Sequence, residues 1–275
     1  MLYSNLGGLG PDLGSPPKVR FANVIKVSSG VEGQAALYVD LVVENTTEYK
    51  AEDASRNGRQ HGHFGRLNFA PQTTAGIRFS VRPSCAQWSS CSVCEDKIVT
   101  PTFLDRIKCY AAGCSCYAET CFNPGCCTPS KAAANRLSYS CPQMDSPLLF
   151  PPGSLVAVSI YDLDTGPTGE YMEAVTVPEY QYAVTPLRPI SDNTVAPGVF
   201  LNTIARRAVG IARGTAADDP TDPDALTDQQ AAAGIQFFFT PQDGRIDMTF
   251  EFTYSGSGTP VGHDILFSGG SSLCA

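Results

Sequence analysis

Ten of the eleven cysteines in this chain fall in one stretch: Cys85, Cys91, Cys94, Cys109, Cys114, Cys116, Cys121, Cys126, Cys127 and Cys141. Only Cys274 stands apart. Ten cysteines in 57 residues is the density at which small secreted modules replace a hydrophobic core with cross-links. The stretch therefore predicts an oxidising compartment, and it divides the chain into a stapled segment and an ordinary core. An even count lets the segment close on itself. The pairings number on the order of 10³, and adjacent Cys126 and Cys127 should take different partners. Each bridge is worth about 2–4 kcal/mol through restriction of the unfolded chain. The competing reading is zinc, with Cys91-x2-Cys94 and Cys109-x4-Cys114 supplying four thiolates. Against it, the segment holds no histidine, and six further cysteines need another role. Cys274 is left to bond another chain or a further part of a precursor, or to stay a free thiol.

The rest of the chain suits an extracellular β protein. Its 275 residues can bury a substantial core. Charged residues make up 17%, below the usual quarter, and 25 Gly with 21 Pro suit many turns. The net charge of −8 argues against nucleic acid, because phosphate contacts need clustered Lys and Arg. It argues equally against docking on anionic lipid. No apolar run is long enough for a membrane helix. The start, Met1 to Gly8, has neither the basic nor the apolar part of a signal peptide. With the cysteines, this predicts a mature or excised part of a longer precursor.

Alternation of apolar and polar residues marks the strands. The first candidates are Val19–Val27 and Leu37–Glu44, followed by an apolar stretch around Phe64, Leu67 and Phe69. Ile77, Phe79 and Val81 alternate with Arg78, Ser80 and Arg82. After the cysteine segment, Leu155–Tyr161 is mostly apolar and reads as a central strand. Ala174–Val177, Tyr180–Val184, Val199–Ile204 and Ala208–Ala212 are shorter candidates. Thr221–Ala233 reads as the one helix, with Gly234 as its stop. The strongest strand signal is a predicted hairpin. Ile235, Phe237 and Phe239 lead to the turn Pro241-Gln242-Asp243-Gly244, and Ile246, Met248, Phe250, Phe252 and Tyr254 alternate beyond it. Ile265–Phe267 supplies a last strand. The fold class that follows is all-β: an antiparallel β-sandwich, jelly-roll-like, with one short helix. Residues 1–84 and 142–275 form the sandwich, and 85–141 is a disulfide-rich insertion. Two domains divided near Asp145 are the alternative.

Three groups of residues carry chemistry. Asp162 and Asp164 at the end of the central strand, with Glu170 and Glu173 close behind, offer hard oxygen ligands for calcium; the competing reading is a polar turn. A second acidic group, Asp218, Asp219, Asp222, Asp224 and Asp228, suits a solvated loop and helix N-terminus. His61-Gly62-His63 on a strand would put two imidazoles on one face, as a transition metal requires. With His263 after Pro260-Val261-Gly262, this partly resembles the cupin metalloenzymes, but Gly58 stands three residues before His61 rather than six, and Asn68 stands near where Glu is expected. The competing reading is two loop histidines beside an Asn-Gly turn. Asn45-Thr46-Thr47 is an N-glycosylation sequon. Tyr161, Tyr171, Tyr180 and Tyr182 cluster in sequence, as sugar-stacking rings do, though packing is the commoner fate of tyrosines. Nucleophile-elbow and phosphate-loop motifs are missing.

Tyr3-Ser4-Asn5-Leu6-Gly7-Gly8-Leu9-Gly10-Pro11-Asp12 resembles the start of an uncharacterised secreted β-sandwich ectodomain recurrent in large extracellular proteins of unicellular algae. Tyr161-Asp162-Leu163-Asp164 and Leu226-Thr227-Asp228-Gln229-Gln230 are similar too. The resemblance covers residues 3–84 and 142–270 and implies a cell-surface or extracellular setting, with nothing catalytic. The expected function is a non-enzymatic structural or adhesive module of a larger extracellular assembly, with other proteins or glycans as partners and calcium as the one expected cofactor. A carbohydrate-binding module and a cupin-like metalloenzyme using His61, His63 and His263 are the alternatives.

Overall fold

The computed structural model describes residues 1–27, 37–60, 64–83, 116–117, 120–121, 150, 153–215, 217, 219–256 and 262–272. Among these residues the structure is mostly β, with two large antiparallel sheets and one short helix. The chain divides into two compact units.

The first unit comprises residues 1–20, 42–80 and 150–274. Eight strands form sheet A: β1 (Tyr3–Ser4), β2 (Val19–Val27), β3 (Leu37–Asn45), β6 (Thr73–Pro83), β10 (Tyr171–Thr176), β12 (Val199–Asn202), β13 (Arg207–Gly210) and β15 (Met248–Gly256). Their order is β1-β2-β3-β6-β15-β10-β13-β12. Sheet B holds β4 (Gly58–Gln60), β5 (Phe64–Phe69), β9 (Leu155–Tyr161), β11 (Tyr182–Val184), β14 (Ile235–Phe239) and β16 (His263–Ser272), in the order β11-β14-β9-β16-β5-β4. Aromatic rings of the two sheets touch within this unit. Phe79 lies 4.9 Å from Phe267, Phe69 lies 5.7 Å from Phe252, and Phe237 lies 5.8 Å from Phe250, between ring centres.

The second unit comprises residues 21–41, 81–149 and 275, and takes in the far ends of β2, β3 and β6. Its other described residues form a minimal hairpin, β7 (Cys116–Tyr117) and β8 (Thr120–Cys121), with Cys116 opposite Cys121. The remaining insertion cysteines, with Cys274, lie outside the described residues.

The expected hairpin is not one. Its tight turn is there, with Gln242 bridging Arg245 and Asp243 and Gly244 both at positive φ. Beyond the turn the strands part: β14 pairs with β9 and β11, whereas β15 pairs with β6 and β10. The alternation was sound, with Ile235, Phe237 and Phe239, and Met248, Phe250, Phe252 and Tyr254, all buried. What alternation cannot state is the partner. Paired in one sheet, the two phenylalanine rows would lie side by side on a single surface; in separate sheets, each row buries against the other.

The near-continuous apolar reading of β9 has a similar cause, because both its faces are covered. On the second face Tyr161 clusters with Phe64 and Leu266 beneath Leu187 and Leu226. Farther along that face, Asn68 Nδ2 donates to Asp264 at 2.8 Å, and the guanidinium of Arg56 grips the same carboxylate. The hydroxyl of Tyr49 is shared between Asn57 Oδ1 at 2.9 Å and the Asn68 carbonyl. These contacts fix residues 49–57 onto β5 and β16.

The helix is shorter than expected. Asp224 N–H turns back to Asp222 Oδ1 at 2.9 Å, and α1 spans only Asp228–Ala232. A capping box sets its start: Gln230 N–H donates to Thr227 Oγ1, and Thr227 N–H donates to Gln230 Oε1 at 2.9 Å. Thr227→Ala should cost about 1 kcal/mol, read as a lower denaturant midpoint at unchanged slope. Among the described residues no helix is long and apolar enough to cross a membrane.

Candidate functional site

Four strand side chains meet on the core-facing side at one end of the sheets. In β10, parity puts Tyr171 and Glu173 on the same face as buried Val175. In β15, Tyr254 stands directly opposite Glu173. In β16, His263 shares a face with Ile265 and Phe267. His263 Nδ1 lies 2.8 Å from Glu173 Oε1, and both side chains are buried. Tyrosine rings cover the imidazole: Tyr254 stacks on it at 4.0 Å, and Tyr171 meets it edge-on at 3.9 Å.

The loop from β9 to β10 brings in the fifth group. Leu163 N–H donates to the Ala233 carbonyl at 2.9 Å and Thr165 N–H to that of Ala212 at 3.0 Å, pinning the backbone on either side of Asp164. Asp164 is buried, and its Oδ1 accepts from Gly166 N–H at 2.9 Å. The fit leaves no room for side chains at two glycines. A Cβ on Gly210 would lie 2.4 Å from Asp164 N, and one on Gly214 would lie 1.9 Å from Asp164 Oδ2. Tyr171 also hydrogen-bonds to the Asp164 carboxylate, and Asp164 N–H reaches Glu173 Oε2 at 3.4 Å.

Burial dominates the electrostatics. It pushes the Glu173 carboxyl well above the usual range, and the negative charge of Asp164 pushes the same way. Burial lowers the His263 pKa, outweighing the opposing pull of Asp164, Asp264 and Glu170. Tyr171 and Tyr254 are held in their phenol forms, chiefly by burial and then by nearby carboxylates. Both members of the pair thus favour their neutral states. In those states the carboxylic acid donates to imidazole Nδ1 and the ring hydrogen sits on Nε2. Among the described residues that Nε2 is buried without a hydrogen-bond partner, at a cost of about 1–3 kcal/mol.

Residues read from the sequence as two separate sites meet here. Asp164, expected to hold calcium, lies beside Glu173, and Glu173 pairs with His263, expected to bind a transition metal. Glu170 itself is turned outward and spends its Oε2 on Thr168, accepting from N–H at 2.8 Å and from the hydroxyl at 2.6 Å. Asp162 sits at positive φ where the chain leaves β9. Among the described residues no three His, Cys, Asp or Glu side chains are placed to hold a metal ion. His61 and His63 lie outside the described residues. His263 pairs with Phe69, at the opposite end of β5 from Phe64, about 17 Å along the strand.

Glu173 was read from the sequence with the calcium group and not as a partner of His263, because 90 positions separate the two. The signal was its parity, an acid in register with Val175 and Val177 on a core face. Asn45 ends β3, and its Nδ2 donates to the Thr47 carbonyl at 2.8 Å. The four tyrosines part company: Tyr171 covers His263, Tyr161 is buried under Leu226, Tyr180 lies beneath the Arg206 guanidinium, and Tyr182 is exposed on β11. No family model, curated protein or solved structure matches this chain.

Proposed function

We propose that the chain is a non-enzymatic extracellular structural or adhesive module, a jelly-roll-like β-sandwich carrying residues 85–141 as a disulfide-stapled insertion. The carrying observation is the sealing of its most perturbed side chains. Glu173 and His263 are only 3% and 10% exposed beneath two tyrosine rings, so they serve the packing between strands and present nothing to a substrate. Recognition then falls to the surface and the insertion. Beads coated with the protein should adhere to cells or matrix of the source where uncoated beads do not; equal adherence would refute the adhesive role.

The compartment is tested separately. In the unreduced protein the ten insertion cysteines should resist alkylation, and all should react after reduction in denaturant. Ready alkylation of the native protein would contradict the disulfides. Asp164 and Glu170 close a loop on this proposal, their oxygens already accepting from Gly166 and Thr168. EDTA should leave the melting temperature unchanged, and a fall of several degrees would restore calcium to the account.

A further inference from the structure

On the outer face of sheet B, a cavity of about 210 Å³ opens beside Tyr161, walled by the segments around Arg188 and Leu226. Its floor is polar. Gln236 and Ser159 face each other across β14 and β9, and Gln236 Nε2 donates to Ser159 Oγ at 2.8 Å. That leaves Gln236 Oε1 and a second amide hydrogen for a ligand, while the Ser159 hydroxyl also bonds the Tyr161 side chain. Asp224 adds an acceptor carboxylate at the rim. The one cation in the wall is already matched, since Arg188 binds Asp228 at 2.7 Å and the Leu226 carbonyl at 2.9 Å.

The same face continues into an aromatic platform. Phe238 follows Gln236 by two residues, about 7 Å along the strand. Exposed Tyr182 stacks on Phe238, ring centres 4.3 Å apart and planes 14° from parallel. Across the sheet on the other side of Phe238 stand Ala157 and then exposed Gly270.

We infer that this face binds a neutral oligosaccharide, with one sugar ring in the cavity over Gln236 and Ser159 and its neighbour against the Phe238–Tyr182 platform. Each part matches a property of sugars. The cavity has about the volume of one hexose, the floor mixes donors and acceptors as hydroxyls do, and aromatic faces take the apolar face of a pyranose. The Asp224 carboxylate and the chain's net charge of −8 turn away sulfated or uronic glycans. The inference names the partner of the adhesive module proposed above and rests on that reading.

The test is an array of neutral hexose and pentose oligosaccharides, then calorimetry with the best-bound member. The expected result is a Kd of about 1 mM or tighter, weakened about tenfold each by Y182A, Q236L and D224A. Tyr182 and Asp224 are exposed, so those two variants should keep the wild-type melting temperature. An array with no bound member overturns the inference, as does binding that all three variants leave intact. Adherence of coated beads despite an empty array would sink the groove and leave the adhesive module standing. Adherence lost by Q236L and Y182A together would support both.

Discussion

Phe250→Ala should lower the free energy of unfolding by about 3–5 kcal/mol, the largest loss expected from any single core substitution. Phe250 is fully buried, and four rings surround it. Phe79 lies 5.0 Å away, Phe239 5.7 Å, Phe237 5.8 Å and Phe252 5.9 Å, between centres. Two of these neighbours, Phe237 and Phe239, belong to sheet B, whereas Phe250 belongs to sheet A. Truncation therefore opens a cavity where the sheets meet, and rigid strands on both sides resist collapse into it. Denaturant unfolding measures the effect. A loss under about 1 kcal/mol would mean that these rings do not share one dry core.

Glu173→Ala should cost about 3 kcal/mol when measured near pH 5.5, midway between the ordinary Glu and His values of 4.5 and 6.5. It removes the partner of His263 Nδ1 and leaves a void under Tyr254. The choice of pH follows from the proton count. The raised Glu173 value keeps a proton in the folded chain at pH values where the unfolded carboxyl has lost it, so its contribution to stability falls as pH rises above 4.5. The lowered His263 value does the reverse, so its contribution falls as pH drops below 6.5. The two oppose each other between those values, and each amounts to at most about 1.4 kcal/mol per pH unit.

Local order was legible in the sequence where one strand could be judged alone. Alternation located β6, β9, β14 and β15 and told which of their residues are buried. It did not pair them. Phe239 and Met248 are joined by a tight turn yet enter different sheets, since the decision lies in where two aromatic rows find cover. The helix was overextended because Asp222 and Asp224 hold the chain in turns that composition reads as helix. The buried pair was half legible. Asp164, Glu170 and His263 were each singled out, but for two different metals. The partner that explains His263 stands on another sheet, where only three-dimensional packing brings it. The outer groove was less legible still, because Ser159 and Gln236 are ordinary polar residues until register sets them face to face.

The central claim is that Glu173 and His263 form a neutral, sealed pair, and Glu173→Gln tests it most directly. The Gln amide can donate to His263 Nδ1 as the carboxylic acid does, but it cannot ionise. Unfolding free energies of wild type and E173Q should be compared from pH 5 to pH 9. The account predicts the smallest difference at the acid end, and an advantage for E173Q that grows as pH rises above the ordinary Glu value of 4.5, by up to about 1.4 kcal/mol per unit, until the raised folded value is reached. A variant less stable than wild type by several kcal/mol at every pH would contradict it, since that result requires an anionic Glu173 bound to a charged His263.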